Sequence, residues 1–196
     1  MTNDLGWTGQ CVYHRVPPGL RGTVLYPLNQ LKDYYPDLYA SLRQNYATRE
    51  DIASLHIPPL GNCPWNDVLH FSPVHPRLLR DALAEAGHSL PASWRSWFEV
   101  DASLLTSSAT VVYRNRLGPL WSGQFNVLKA SEAIGSECVP FEPAVLAGCG
   151  EVPDAALSYY ASQQVGASLM LFLNVPHVFY KGEINLLSRS VRTIEV

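Results

Sequence analysis

The chain lacks the features that mark membrane, secreted and broadly nucleic-acid-binding proteins. Its longest apolar stretch, residues 169–175, is far shorter than the roughly 20 residues that cross a bilayer. The opening "MTNDLGWTGQ" has no charged region followed by an apolar one, so no secretory signal is visible. Charged residues make up 16% of the 196 residues and the net charge is −3, which argues against broad attraction to nucleic acid but allows a local basic groove. We therefore expect a soluble cytoplasmic protein without a membrane partner.

Two kinds of motif are also missing. The four cysteines are widely spaced and form no CxxC pair, which excludes a zinc ribbon and a thioredoxin motif. Reduced, mostly structural cysteines are the expectation for such a chain. Neither GxGxxG nor GxxxxGK[ST] occurs, so nothing supports a phosphate loop.

What is present predicts one α+β domain over residues 1–196. Residues 36–50, 76–87 and 154–166 have helical apolar spacing with proline or glycine at their ends. Strands are predicted at 11–16, 22–28, 66–72, 96–104 and 108–116, and with less support at 123–130. Residues 168–187 are predicted to form two or three further strands. Helices and strands do not alternate regularly, which argues against a Rossmann fold.

The segment "GNCPWNDVLHFSPVHP", residues 61–76, concentrates residues that can carry chemistry. In a strand, Asp67 and His70 are three positions apart and point to opposite faces, and Pro73 breaks the run before His75. We therefore predict no metal site here. A nucleophilic Cys63 with a histidine base stays open, because the sequence does not show which histidine would approach it.

Four more positions stand out. His14, in "VYHRV", either bonds a ligand hydroxyl or a nearby carbonyl. Glu142, between Phe141 and Pro143, is either exposed at a turn or held in a cleft. Arg49 lies at the end of the first predicted helix, where a solvated helix end is the simplest reading. Glu183 follows a Lys-Gly pair and has the same ambiguity as Glu142, with a hairpin tip as the simplest reading.

These positions occur in an order that resembles a known enzyme family. "VYHRV" resembles the opening strand of ADP-ribosyltransferases, with its tyrosine-histidine pair. Arg49 followed by "IPPLGNCPWNDVLHFSPVHPRLL" is similar to the central signature of the DarT-type DNA ADP-ribosylating toxins. "ATVVYRNRLGP" resembles the hydrophobic strand that comes next, and "FEPAVLAGCGEVP" resembles the late segment with the catalytic glutamate.

The resemblance implies a split antiparallel sheet with about three helices and an enzyme that consumes NAD. His14 would bond the nicotinamide ribose hydroxyls, a tyrosine or tryptophan would stack on the nicotinamide, and Arg49 would contact the phosphates or the target. Glu142 would stabilise the oxocarbenium-like state and act as base, making it catalytic together with His14. The implied NAD-binding residues are Tyr13, His14, Arg49, Trp65 and His70. The implied acceptor is a nucleic acid or a protein.

The residues by themselves also allow two other functions. The chain could be a non-catalytic ligand-binding or protein-interaction domain, which needs none of these side chains to converge. It could also be a cysteine-dependent hydrolase or transferase that uses Cys63.

Overall fold

The computed structural model describes residues 10–46, 50–116, 126–167 and 169–196. Within these ranges the chain is mixed α+β, as predicted. The strands are β1 (Cys11–Arg15), β2 (Val24–Leu25), β3 (His56–Ile57), β4 (Cys63–Pro64), β5 (Leu69–Phe71), β6 (Ser96–Asp101), β7 (Thr110–Tyr113), β8 (Cys138–Pro140), β9 (His177–Tyr180), β10 (Ile184–Asn185) and β11 (Val191–Glu195). The helices are α1 (Leu31–Tyr34), α2 (Pro36–Arg43), α3 (Glu50–Ala53), α4 (Pro76–Glu85), α5 (Val127–Glu137), α6 (Pro143–Ala147) and α7 (Asp154–Ser162).

Two antiparallel sheets organise the fold. One has the strand order β1-β6-β11 and the other β5-β9-β7-β8. They meet where Tyr13 and Ser72 exchange two backbone hydrogen bonds, each with an N–O distance of 2.8 Å. A single bridge therefore joins β1 to the residue that follows β5. Two short pairs, β2 with β10 and β3 with β4, complete the strand pairing of the described ranges.

Three apolar clusters hold these layers together. The first contains Val12, Phe71 and Val178 and lies between the two sheets. The second lies where α5 and the loops around β3 and β4 cover the four-stranded sheet, and its centre includes Ile134. The third joins α4 to α7, with the ring of Tyr160 fully buried. Since side chains alternate along a strand, β1 contributes Val12 to the first cluster and turns Tyr13 to the opposite face.

Several local predictions differ from the structure. Residues 127–137 form helix α5 and not a strand, because Ala130 and Ile134 repeat at helical spacing and Asn126 caps the first turn by accepting from the amide of Lys129 at 3.0 Å. The helix predicted for 36–50 ends at Arg43. The described ranges contain seven helices where three or so were expected, and several of the seven are a single turn. Between α7 and β9 no strand forms within the described residues, and apolar side chains there pack into the third cluster.

No helix within the described ranges is long and apolar enough to cross a membrane.

Candidate functional site

A cavity of about 330 Å³ opens where the two sheets meet. One wall is formed by the end of β1 and by β5. A second wall is apolar and comes from the segment between β1 and α2, including Leu20, Leu31 and Leu38. The third wall is largely aromatic and consists of Trp65, Trp94, Trp97, Phe172 and His177. Concave, mostly apolar sites with a few polar groups are the usual form of small-molecule sites, which span about 300–1,000 Å³.

Three histidines line this cavity, and each ring bonds a backbone carbonyl. His14 Nδ1 lies 2.6 Å from the oxygen of Arg15, His70 Nε2 lies 2.9 Å from that of Trp65, and His177 Nδ1 lies 2.9 Å from that of Val175. In a neutral ring the nitrogen facing a carbonyl must carry the proton and donate. The other nitrogen is then an acceptor, and in no case does it have a partner among the described residues.

Their environment keeps these rings neutral. Burial lowers the pKa of His14 to about 4, and of His70 to about 4. Burial, followed by the proximity of His70, lowers the pKa of His177 to about 3. The rings of His70 and His177 are 6.5 Å apart, so protonating one would further disfavour protonating the other. At neutral pH the cavity therefore presents three imidazole acceptors and no imidazolium.

The cavity also contains a cation, Arg15, that pairs with no carboxylate of the described residues. The Arg15 guanidinium lies over the ring of Trp94, 4.6 Å from its centroid, and burial lowers its pKa. No carboxylate of the described chain pairs with it. Arg21 also lines the cavity, but both of its terminal nitrogens are engaged by Asp37, at 2.7 and 3.1 Å.

The structure brings four sequence-predicted residues together. Tyr13, His14, Trp65 and His70 all line the cavity. Tyr13 and His14 come from β1, while Trp65 and His70 come from the opposite side of the bridge, with ring centroids 4.6 Å apart. Arg49, the fifth predicted position, lies outside the described residues.

Glu142 does not join this group. It is exposed and directly precedes α6. Gln10 Nε2 donates to the carbonyl of the next residue, Pro143, at 2.9 Å, which places the start of α6 beside the first end of β1. His14 is four residues further along that strand, or roughly 13 Å at about 3.3 Å per residue. The expectation that Glu142 and His14 share a cleft is therefore not supported by the cavity's lining.

No aspartate or glutamate is among the described residues that line the cavity. Three carboxylates are linked to lining residues: Asp37 pairs with Arg21, Glu99 accepts a hydrogen bond from the Tyr13 hydroxyl at 3.2 Å, and the exposed Glu183 lies near Tyr26. In the antiparallel pair of β2 and β10, Ile184 is opposite Leu25, so Glu183 comes opposite Tyr26, a lining residue. Partial desolvation and then the charge of Glu183 raise the pKa of Tyr26, consistent with this proximity.

Cys63 is buried in the second apolar cluster and does not line the cavity. Burial raises the pKa of its thiol, which disfavours the thiolate that a nucleophile needs. Asp67 is held by Asn29, whose Nδ2 donates to it at 2.6 Å. In the part of the chain that the structure describes, no three His, Cys, Asp or Glu side chains are placed to hold a metal ion.

Sequence reasoning gave no role to two polar lining residues, Arg15 and His177. Arg15 directly follows His14, and its position in the sequence does not indicate that it lines a cavity. His177 follows Val175-Pro176 at the start of a strand, and only the pairing of β9 between β5 and β7 brings it to the cavity.

Comparison of the chain with protein-family models, with curated proteins and with solved structures finds no match.

Proposed function

We propose that this protein is an NAD-consuming enzyme of the ADP-ribosyltransferase type and that the cavity between its two sheets binds NAD. The observation that carries the proposal is the convergence at one cavity of Tyr13, His14, Trp65 and His70, four of the five residues that the resemblance implies as NAD-binding. The split between the two antiparallel sheets is compatible with the ADP-ribosyltransferase-like fold that the resemblance implies.

The lining suits the parts of this ligand. A flat nicotinamide ring can stack against Trp65 or the other rings of the aromatic wall. Ribose hydroxyls can donate to the unpartnered nitrogens of His14 and His70. At about 330 Å³ the cavity is near the lower end of the usual range, so it accommodates one end of a dinucleotide and leaves the other outside.

The reaction needs a carboxylate, and among those linked to the lining we assign this role to Glu183, because Asp37 is already paired with Arg21 and Glu99 with Arg192. ADP-ribosyl transfer breaks the bond between the ribose C1′ and the nicotinamide nitrogen, whose electron pair leaves with neutral nicotinamide. The acceptor forms a new bond to C1′ and gives up a proton. A carboxylate at the cavity's edge stabilises the positive charge that develops on the ribose and takes that proton. Glu183, opposite the lining residue Tyr26, is the candidate for both roles.

A second candidate function is ligand binding without catalysis. It is favoured by one observation, the absence of aspartate and glutamate among the described lining residues. This candidate predicts that NAD or a related nucleotide binds and is recovered intact.

The test is incubation of the purified protein with NAD and chromatographic measurement of free nicotinamide, alone and with single-stranded DNA or a protein mixture as acceptor. We expect release, reduced at least about a hundredfold by Glu183→Gln, in the range usual for a lost acid-base group. Glu142→Gln is the matched control and should retain the wild-type rate. If no nicotinamide is released in any of these incubations although NAD binds, the protein has the binding function and not the enzymatic one.

A further inference from the structure

Some polar groups of the cavity lack a hydrogen-bond partner among the described residues. Buried polar groups in folded proteins are nearly always hydrogen-bonded, to protein or to ordered water. Here three ring nitrogens, on His14, His70 and His177, have no partner within the described chain. The three histidines are partly buried and line the same cavity.

These nitrogens can only accept. Each ring already uses its single N–H on a backbone carbonyl, and burial disfavours a second proton on the ring. A ligand that satisfies them must therefore carry several hydrogen-bond donors, such as hydroxyl groups.

Arg15 adds a second requirement. A half-buried guanidinium held over Trp94, without a carboxylate among the described residues, is stabilised by an anionic group on the ligand. The neighbouring Arg21 is not equivalent, because Asp37 already pairs with it. Arg15 and His14 both line the cavity, so one molecule that occupies it can carry both the anion and the hydroxyl groups.

We propose that the cavity recognises a sugar phosphate, with its hydroxyls donating to the three imidazoles and its phosphate paired with Arg15. This rests on the same cavity as the proposed NAD site, but it assigns the anion-binding role to Arg15 and extends to sugar phosphates that carry no nicotinamide. A guanidinium matches a phosphate with two parallel hydrogen bonds, and its stacking on Trp94 fixes the plane in which they form.

Isothermal titration at neutral pH and low salt, with ribose 5-phosphate, ribose and inorganic phosphate as probes, tests the proposal. Ribose 5-phosphate should bind about tenfold or more tightly than either single-feature probe. Arg15→Gln should remove that advantage, and Arg15→Lys should restore part of it. Arg80→Gln, the matched control, changes an arginine on α4 that pairs with Asp81 outside the cavity lining, and it should leave all three affinities unchanged.

A histidine variant separates the two requirements. His14→Phe keeps a ring against Phe71 but removes one acceptor, so it should weaken ribose 5-phosphate and leave inorganic phosphate unchanged. Circular dichroism of each variant verifies folding.

The inference is overturned if ribose 5-phosphate does not bind at about 10 mM, beyond the weak millimolar range, or if Arg15→Gln keeps the wild-type affinity ratio. Failure of the NAD reaction is a separate outcome. Arg15-dependent binding of ribose 5-phosphate without nicotinamide release would uphold this inference and reject the enzyme. Release of nicotinamide by Arg15→Gln at an unchanged KM for NAD would reject this inference and uphold the enzyme.

Discussion

Acidification should destabilise this protein well before its carboxylates are protonated, because folding holds three partly buried histidines as neutral rings. The pKa values of His14, His70 and His177 fall from about 6.5 to about 4, 4 and 3 on folding. Between those limits the unfolded chain binds more protons than the folded one. Stability is therefore constant with respect to these groups above about pH 6.5 and declines as the pH falls toward 4.

The expected size follows from the shifts. Each pKa unit corresponds to about 1.4 kcal/mol, and pH 5 lies about 1.5 units below the unfolded pKa, so each histidine costs about 2 kcal/mol there. Together the three reduce the free energy of unfolding by about 6 kcal/mol between pH 7 and 5, which is comparable to the total stability of about 5–15 kcal/mol of many domains. Carboxylates of ordinary pKa stay ionised over this interval, so the histidines dominate the change.

Urea denaturation at pH 7, 6 and 5 measures this loss. His177→Gln should shrink the loss between pH 7 and 5 by about 2 kcal/mol, because one titrating group is gone. His56→Gln, on β3 and outside the cavity lining, is the matched control and should leave the loss unchanged. The reasoning would be refuted if the free energy of unfolding did not change between pH 7 and 5, or if it fell equally in His177→Gln and wild type.

Three further predictions concern other parts of the chain. Asn126→Ala removes the cap on the Lys129 amide and should lower the free energy of unfolding by about 1 kcal/mol, measured by urea denaturation against Asn126→Asp as the conservative control. Arg192→Met leaves the buried Glu99 without its ion partner and should lower the free energy of unfolding by about 2 kcal/mol. This is less than the cost for a fully buried pair, because the Arg192 side chain is half exposed. Adding Glu99→Gln should recover part of the lost stability, and no recovery would argue against a stabilising pair. Cys63→Ala should keep nicotinamide release at the wild-type rate, and a loss of release in a folded variant would restore the cysteine-dependent mechanism.

The sequence predicted the strands that form the site better than it predicted the site itself. β1 and β5 have β-branched or aromatic runs with prolines nearby, and both were placed correctly within a few residues. Their meeting at Tyr13 and Ser72 depends on a bridge between positions 59 residues apart, which no local pattern encodes. Helix α5 was missed because its first turn adjoins a stretch read as a strand, although Asn126 is a recognisable cap.

The charged residues were harder to place than the aromatic ones. Phe141-Glu142-Pro143 fits an exposed turn as well as a cleft, and packing of α6 beside the start of β1 decides for the exposed position. Glu183 fits a hairpin tip equally well, and only the register of β10 with β2 sets it opposite Tyr26. Whether a side chain reaches a shared cavity depends on tertiary packing, which the spacing of residues along one chain does not determine.

The central claim, that the cavity holds NAD, is tested most directly by filling it. Leu42 lies on α2 and lines the cavity, so Leu42→Trp should occupy the space without introducing charge. Leu128→Trp, at a position that is 75% exposed on α5, controls for the added ring. NAD binding by isothermal titration should be lost in Leu42→Trp and unchanged in Leu128→Trp. Wild-type NAD affinity in a folded Leu42→Trp variant would contradict the assignment of this cavity as the site.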